Sequence, residues 1–268
     1  MIRLASGECE VSIEPTAGGR VVQITVDGQP LLDDRAGPEP DPTSVKWGSF
    51  VMAPWAGRVD GGRFEFDDTA YQLGLNCIDD EGDDREHAIH GTVFGRPWSV
   101  DAVTDASLTM QCSLAGSLGW SFGGRAVQRI DLREQSVEFQ LCVESTGETF
   151  PAEIGWHPWF CKPHRLSFEP TAMYERDSRG LPTGTIGSPT HSPWDDCFLN
   201  TKPVTLHYER SRAPAVRIES DCDHWVIYDE PATSTCVEPQ SGPPDAFRLG
   251  PHVVTPETPL RRTMSISW

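Results

Sequence analysis

The chain has 268 residues and a formal net charge of −18, which makes a nucleic acid or an anionic membrane an unfavourable partner. Its 37% hydrophobic content, nine tryptophans and eleven phenylalanines indicate a globular protein with a large core. No run reaches the roughly 18 consecutive apolar residues of a membrane span, and the first residues lack the apolar centre of a signal peptide. We therefore expect a cytoplasmic protein that binds a neutral small molecule.

Period-two alternation of apolar and polar residues dominates the chain and predicts short antiparallel strands. Four hairpins are predicted, with strands at 21–26 and 29–32, 63–66 and 70–73, 98–103 and 107–114, and 126–132 and 137–143. Later strands are predicted at 204–208, 215–218, 225–228, 235–237 and 263–268. No window of a dozen residues carries a helical apolar stripe. The prediction is an all-β fold, a large antiparallel sandwich or barrel with little helix, in a single domain over 1–268.

Eight cysteines are scattered along the chain without a Cys-x-x-Cys pair, so we expect reduced and mostly buried thiols. Two regions are loop-like, at 33–43 and 79–86. The second is an acidic run that lacks the ligand spacing of an EF-hand, and we interpret it as solvated rather than as a calcium site. Cys222 and His224 form a Cys-x-His pair, but two ligands without evident partners are poor evidence for a metal site. We predict no bound metal.

Two polar islands in the first half of the chain combine ionisable side chains with turn residues. In the first, residues 53–64, Arg58 precedes a hairpin, where its guanidinium either donates forked hydrogen bonds to a hydroxylated ligand or forms a surface salt bridge. In the second, residues 87–91, His90 follows an apolar residue and precedes Gly91, which allows a close backbone approach. His90 is therefore predicted to be the more inward of the two histidines of this island.

A third island, residues 155–160, places His157 between two tryptophans and directly before Pro158. Proline has no N–H and pushes the preceding residue towards extended geometry, which predicts that His157 lies at a strand end or on a rim. The neighbours Trp156 and Trp159 offer flat faces for a sugar ring and lower the local dielectric around the imidazole. We expect Trp156 to contact a bound sugar. The alternative is a core histidine with both nitrogens satisfied.

The fourth island, residues 235–247, contains a predicted strand that ends in Glu238 and is followed at once by Pro239. A carboxylate held at a strand mouth by a rigid residue is well placed to act as a general base. With His90 and His157 at other strand ends, one carboxylate and one imidazole can move a proton on and off a single substrate. Each island alone is weak evidence, but the set predicts acid–base chemistry.

Together the islands resemble the aldose 1-epimerase (galactose mutarotase) family, in that family's order and over nearly the whole chain. The matching segments are Arg58-Val59-Asp60-Gly61-Gly62-Arg63-Phe64, Tyr71-Gln72-Leu73-Gly74-Leu75-Asn76, His90-Gly91 with Trp98, Gly155-Trp156-His157-Pro158-Trp159-Phe160, Asp195-Asp196-Cys197-Phe198 and Val237-Glu238-Pro239-Gln240. The resemblance implies a β-supersandwich fold and interconversion of α- and β-anomers of a neutral sugar, without metal or cofactor. We expect a monosaccharide as the small-molecule partner of a monomer or homodimer.

The same resemblance implies a role for each matching residue. Glu238 would take the proton of the anomeric hydroxyl, and His157 would protonate the ring oxygen as the ring opens. His90 and Arg58 would hydrogen-bond the substrate near that oxygen, and Asp196 would hold other hydroxyls. The open aldehyde would then rotate and reclose, with the two proton transfers reversed.

Two positions depart from the family pattern. Gly57 stands where the family commonly has asparagine, which removes one hydrogen bond to the substrate, and Trp159 stands where tyrosine is usual. Both departures concern substrate identity more than reaction type, and two alternative functions stay open. A hexose-6-phosphate mutarotase would need a basic phosphate clamp, to which Arg96 and Arg125 could contribute. A catalytically silent sugar-binding protein would have no need of an acid–base pair.

Overall fold

Strand pairing in the computed structural model follows the period-two pattern of the sequence. The structure describes residues 1–33, 41, 43–77, 86–209 and 213–268, so the predicted loops at 33–43 and 79–86 lie almost wholly outside the described residues. Within the described residues, helix is confined to two 3-10 turns, Pro15–Ala17 and Asp60–Gly62, and one short α-helix, α1 (Ala246–Leu249). No helix in this part of the chain has the length and apolar character needed to cross a membrane.

The strands of the described residues are, in chain order, β1 (Ile2–Ser6), β2 (Cys9–Glu14), β3 (Arg20–Val26), β4 (Gln29–Pro30), β5 (Ser49–Met52), β6 (Arg58–Val59), β7 (Arg63–Phe66), β8 (Thr69–Gln72), β9 (Ala88–Ile89), β10 (Ser99–Val103), β11 (Ser107–Ser113), β12 (Arg125–Leu132), β13 (Ser136–Glu144), β14 (Phe150–Ala152), β15 (Gly155–Cys161), β16 (Arg165–Ser167), β17 (Ala172–Arg176), β18 (Pro182–Gly187), β19 (Asp195–Leu199), β20 (Val204–His207), β21 (Ala215–Ser220), β22 (His224–Tyr228), β23 (Ser234–Gln240), β24 (His252–Val254) and β25 (Leu260–Ser267).

These strands build two large antiparallel sheets, which confirms the predicted all-β fold. Among the described residues, the larger sheet has the order β1-β2-β3-β5-β15-β23-β22-β19-β17-β18, with β4 paired to β3. The second sheet has the order β10-β11-β12-β13-β25-β21-β20-β16, and β6 with β9, β7 with β8 and β14 with β24 form two-stranded ribbons. All four predicted hairpins pair as expected, and the five later strands are present.

The two sheets share an apolar core because their strands bury alternate side chains. In β13, for example, Val137, Phe139 and Leu141 are buried while their neighbours are partly or fully exposed. Trp156 of β15 donates from Nε1 to Oε1 of Gln128 in β12 at 3.2 Å, and this hydrogen bond joins the two sheets through the core. Removing such apolar surface from water stabilises a fold by about 25 cal/mol per Å².

Alternation in the sequence does not reveal the centre of the larger sheet. β5, β15 and β23 are buried along both faces, so their sequences lack the apolar–polar pattern of a half-exposed strand. His157 and Glu238 therefore lie inside β15 and β23 rather than at strand ends, which corrects the prediction drawn from the prolines that follow them. Proline removes only its own N–H, and the two strands regain pairing on either side.

Glu153, which connects β14 to β15, is a buried carboxyl group in this core. Its side chain is 1% exposed, and neither carboxyl oxygen makes a hydrogen bond of good geometry within the described part of the chain. Burial raises the pKa of Glu153 well above its usual range, against the lowering effect of the nearby amides of Ala56 and Gly242. The folded protein therefore keeps this proton at a pH where the unfolded chain has lost it.

We expect Glu153→Gln to stabilise the protein by an amount that grows with pH, reaching about 1–3 kcal/mol near pH 8. A carboxyl pKa that is raised by folding contributes stability below the unfolded value of about 4.3, and this stability is lost as the pH rises towards the folded value. Glutamine does not titrate, so the gain in Tm over wild type should be larger near pH 8 than near pH 5. The exposed Glu65→Gln is the control. An equal gain at both pH values would contradict a buried neutral carboxyl.

Candidate active site

A cavity of about 550 Å³ opens on the outer face of the larger sheet, where β15, β23, β22 and β19 lie side by side. Its size lies within the range of small-molecule sites in proteins. Five of the predicted site residues, which are distant in sequence, line this cavity: Arg58, His90, His157, Asp196 and Glu238. The fold thus brings together the ionisable side chains of all four polar islands and of the Asp195-Asp196 segment.

His157 and Glu238 face each other across the neighbouring strands β15 and β23. The pairing of Gly155 with Gln240 sets a register that puts residue 157 opposite residue 238. Nε2 of His157 lies 3.3 Å from Oε1 of Glu238, and both side chains are almost fully buried. Gln240 donates from Nε2 to the other carboxyl oxygen of Glu238 at 3.2 Å. The His157–Glu238 distance is slightly longer than the roughly 2.6–3.2 Å of a reacting contact, as is common before substrate binds.

The imidazole of His157 is held in a stack of aromatic rings. The Phe50 ring stacks on it with centroids 4.6 Å apart and the Trp159 ring with centroids 5.5 Å apart, and both are nearly parallel to the imidazole. Behind Phe50, the buried guanidinium of Arg20 lies 4.8 Å from the Phe50 ring and 4.1 Å from the Trp47 ring. The stack fixes the plane of the imidazole and places a cation one ring away from it.

Both members of the His157–Glu238 pair favour their uncharged forms. Burial, reinforced by the Arg20 cation, lowers the pKa of His157 to about 3. Burial is also the main cause that raises the pKa of Glu238 well above its usual range, with Asp195 adding to the shift and Gln240 opposing it. Burial therefore disfavours an isolated charge on either residue, which favours a pair that holds one proton in total.

His90 is positioned at the cavity by a close approach between the backbones of Gly91 and Ala53. The side-chain amide of Asn76 accepts a hydrogen bond from the N–H of Ile89 at 2.8 Å and donates one to its carbonyl at 3.1 Å, which fixes the residue before His90. Gly91 follows with a φ of 81°, and a Cβ there would lie only 2.0 Å from the carbonyl oxygen of Ala53. The close approach predicted from this glycine is confirmed, and it is to the protein's own backbone.

The His90 ring meets the His157 ring edge-on, with centroids 5.0 Å apart. Burial is the main cause that lowers the pKa of His90 well below its usual range, and the positive charge that His157 and Arg58 can carry lowers it further. Arg58 pairs with Ile89 between β6 and β9 and so lies next to His90. A guanidinium and two neutral imidazoles meet here, and all three can donate hydrogen bonds to an oxygen-rich ligand.

Arg176 is a cavity residue that the sequence motifs do not reveal. It donates from Nη1 to Oδ2 of Asp195 at 2.9 Å and from Nε to Oδ1 of Asp196 at 2.8 Å. Burial raises the pKa of Asp195 despite the lowering effect of Arg176 and Arg58. Because Arg176 ends β17 in a polar segment without a recognisable pattern, only the fold places it beside the two aspartates.

Trp156 does not reach the cavity, which corrects the expected sugar contact. Alternation along β15 turns residues 157 and 159 towards the cavity and residue 156 towards the core, where its indole is bonded to Gln128. The aromatic walls of the cavity include Trp159 and Tyr228 instead. The period-two rule, counted from His157, identifies Trp159 as the tryptophan of the cavity face.

The weak metal interpretation of Cys222 and His224 gains no support. Nδ1 of His224 lies 2.7 Å from the Asp223 carboxylate and Nε2 lies 3.3 Å from the Tyr174 hydroxyl, so both ring nitrogens are engaged. The described residues contain a different group with metal-ligand chemistry, an imidazole, a thiol and a carboxylate whose ligand atoms all lie within 4.8 Å of one another: His157, Cys236 and Glu238.

Comparison with known proteins connects this site to a family. The chain matches the family model described as aldose 1-epimerase over residues 1–267. It is 26% identical to the uncharacterized protein YihR of Escherichia coli (strain K12) over 161 residues, which cover 59% of this chain and 49% of YihR. It is 31% identical to the uncharacterized protein YphB of the same organism over 112 residues, 41% of this chain and 36% of YphB. The chain thus spans about half or less of the length of these curated relatives.

Solved structures share the fold at low sequence identity. A galactose mutarotase-like protein from Clostridium acetobutylicum has a TM-score of 0.83 at 18% identity, covering 98% of this chain and 93% of its own. The GalM/aldose epimerase homologue from C. elegans has a TM-score of 0.82 at 14% identity, covering 99% of this chain and 97% of its own. This likeness confirms the expected galactose mutarotase-like β architecture. Because the family model covers almost every residue, the protein belongs to the aldose 1-epimerase family.

Proposed function

We propose that this protein is an aldose 1-epimerase for a neutral monosaccharide, with Glu238 as the general base and His157 as the general acid. The observation that carries the proposal is the 3.3 Å contact between Nε2 of His157 and Oε1 of Glu238 in the cavity. Opening a cyclic hemiacetal removes a proton from the anomeric hydroxyl and adds one to the ring oxygen, and both oxygens are bonded to the same carbon. An acid and a base side by side match that requirement.

In the proposed reaction, the Glu238 carboxylate takes the proton of the anomeric hydroxyl while the His157 imidazolium gives its proton to the ring oxygen. The bond between C1 and the ring oxygen breaks, its electron pair stays with that oxygen, and C1 becomes an aldehyde. Rotation about the C1–C2 bond and the reverse transfers then close the ring on the other face. Ring opening thus leaves a carboxylic acid and a neutral imidazole, the form that burial favours.

The remaining cavity residues would bind and orient the sugar. Arg58 and the neutral His90 donate hydrogen bonds near the ring oxygen, where negative charge develops as the ring opens. Asp196, fixed by Arg176, accepts hydrogen bonds from other hydroxyl groups. Trp159 offers the apolar face of the cavity to the sugar ring.

The two arginines that the sequence suggested as a phosphate-binding site, Arg96 and Arg125, are engaged elsewhere in the structure. Arg96 donates to the carbonyl oxygens of Ser113 and Ala115, at 2.8 and 3.2 Å, and Arg125 pairs with Glu144 at 2.8 Å. Neither arginine is among the residues that line the cavity. A neutral sugar therefore remains the proposed substrate.

We expect Glu238→Gln to lower the anomerisation rate by about 10²–10⁴-fold while sugar affinity stays within a few-fold, because the amide keeps the shape but cannot accept the proton. The measurement is anomer exchange by NMR on freshly dissolved α-glucose, α-galactose and glucose-6-phosphate. Glu230→Gln is the matched control, since Glu230 is another glutamate that lines the same cavity.

Three results would each change the assignment. Equal rates in wild type and Glu238→Gln would show that Glu238 is not the base. Acceleration of glucose-6-phosphate alone would replace the neutral sugar by a phosphosugar. Sugar binding without any acceleration in wild type would favour the silent sugar-binding protein.

The same pair predicts an unusually wide pH range of activity. The reacting form needs exactly one proton on the pair, and the pKa of about 3 for His157 places the uptake of a second proton far below the ordinary histidine value of about 6.5. The raised pKa of Glu238 moves the loss of the shared proton to higher pH. We expect kcat/KM, corrected for spontaneous mutarotation, to fall by less than about twofold as the pH is lowered from about 7 to 5. Half-loss of activity near pH 6.5 would contradict this assignment.

The local structure explains why glycine, and not the family's usual asparagine, occupies position 57. Its φ is 64°, and a Cβ at this position would lie 2.7 Å from Cβ of Pro244. Asparagine tolerates a positive φ, but Pro244 occupies the space that its Cβ would need. The missing hydrogen bond therefore cannot be restored without moving the loop that follows β23.

We expect Gly57→Asn to lower the free energy of unfolding by about 1–3 kcal/mol, because the new side chain overpacks against Pro244. Gly61→Asn is the matched control, since Gly61 has a similar φ of 56° and nothing within 4 Å of the Cβ position. Denaturant unfolding of both variants measures the difference. Equal losses at the two positions would attribute the effect to backbone strain and not to Pro244.

A further inference from the structure

Cys236 adds a thiol to the His157–Glu238 pair, and the proposed reaction does not use it. A ligand atom of each of the three residues lies within 4.8 Å of the other two, and all three side chains are buried. Imidazole, thiolate and carboxylate are the three ligand types that zinc prefers in proteins. Their convergence therefore has the composition of a metal site as well as that of a proton-transfer site.

The backbone makes this convergence rigid. Cys236 and Glu238 are two residues apart on β23, so their side chains leave the same face of the sheet. β23 lies between β15 and β22 in the larger sheet, with Cys236 paired to Trp159 on one side and to Tyr228 on the other. The three ligands therefore stand on two adjacent inner strands rather than on loops.

We propose that the His157–Cys236–Glu238 group binds a divalent transition-metal cation of the zinc type, which reversibly blocks the cavity. The three side chains supply three ligands of a tetrahedral site, and the cavity side is open for water or a sugar hydroxyl. Binding displaces the thiol proton and the single proton of the pair to solvent, so it weakens as the pH falls. Metal binding does not depend on the proposed function; only its effect on anomerisation does.

The cation acts as an inhibitor because it engages the groups that the proposed reaction needs. A bound metal occupies the Glu238 oxygen and the His157 nitrogen that would exchange protons with the sugar. Nδ1 of His157 has no hydrogen-bond partner among the described residues, whereas the second nitrogen of a metal-binding histidine usually donates to an acceptor that strengthens the site. The site is therefore expected to release its metal to chelators.

Cobalt(II) titration of the metal-free protein tests the proposal directly, because a thiolate bound to cobalt gives a charge-transfer absorption band in the near ultraviolet. We expect the band in wild type and its loss in Cys236→Ser. The control is Cys142→Ser, whose half-buried thiol lies on β13 of the other sheet and whose substitution should leave the band intact. Zn²⁺ should inhibit wild-type anomerisation, and Cys236→Ser should raise the inhibitory concentration about 10–100-fold while the metal-free rate is kept.

The cobalt band also distinguishes Cys236 from the other cysteines, and it tests metal binding independently of the proposed anomerisation. Cys77 and Cys197 are the thiols among the residues that line the cavity. Loss of the band in Cys77→Ser or Cys197→Ser, with retention in Cys236→Ser, would overturn the assignment. If Cys236→Ser does not fold, Glu238→Gln replaces it, and an unchanged cobalt affinity would refute the proposal. If wild type gives the band but accelerates anomer exchange of no sugar, the metal site would be supported and the proposed aldose 1-epimerase activity would be refuted.

Discussion

The register between β15 and β23 is the constraint on which the rest of the site depends. It sets His157 opposite Glu238 at the centre of the larger sheet, where both are shielded from water. A one-residue slip of either strand would turn one of the two side chains into the apolar core. A lone buried charge there would be far more costly than the pair, which stays neutral by holding one proton in total. The contact between His157 and Glu238 therefore serves both the proposed proton transfer and the stability of the sheet centre.

The buried groups around His157 cost free energy when the protein folds, but they also set the pKa of its imidazole. Arg20 is fully buried beneath Phe50, and burial lowers its pKa to about 9. Its guanidinium donates to the carbonyl oxygens of Trp47 at 2.7 Å and Ser44 at 2.8 Å, and it lies against the faces of two aromatic rings. This cation disfavours a positive charge on the imidazole and so helps burial to lower the pKa of His157.

Sequence patterns predict those parts of this fold in which one strand face is exposed. The hairpins at 63–73 and 126–143 follow from alternation, whereas β5 and β15, buried on both faces, carry no such signal. At the site, motifs identify five of the residues that line the cavity but not the residues that support them. Arg176 and Arg20 belong to no motif, because each acts through partners that only the folded chain brings near. Trp156, in contrast, belongs to a motif but points into the core, because motif membership alone does not decide which face of the strand a side chain occupies.

Proton transfer and metal binding make the same geometric demand, which is that lone pairs on different side chains point into one small volume. A hemiacetal-opening pair meets that demand with two ligands, too few to hold a cation tightly. In this chain Cys236 supplies a third ligand because the period of a β-strand returns every second side chain to the same face. A serine there would keep the acid–base pair and remove the soft ligand. In the proposed scheme, the side chain at position 236 thus decides whether the His157–Glu238 pair also accepts a metal ion.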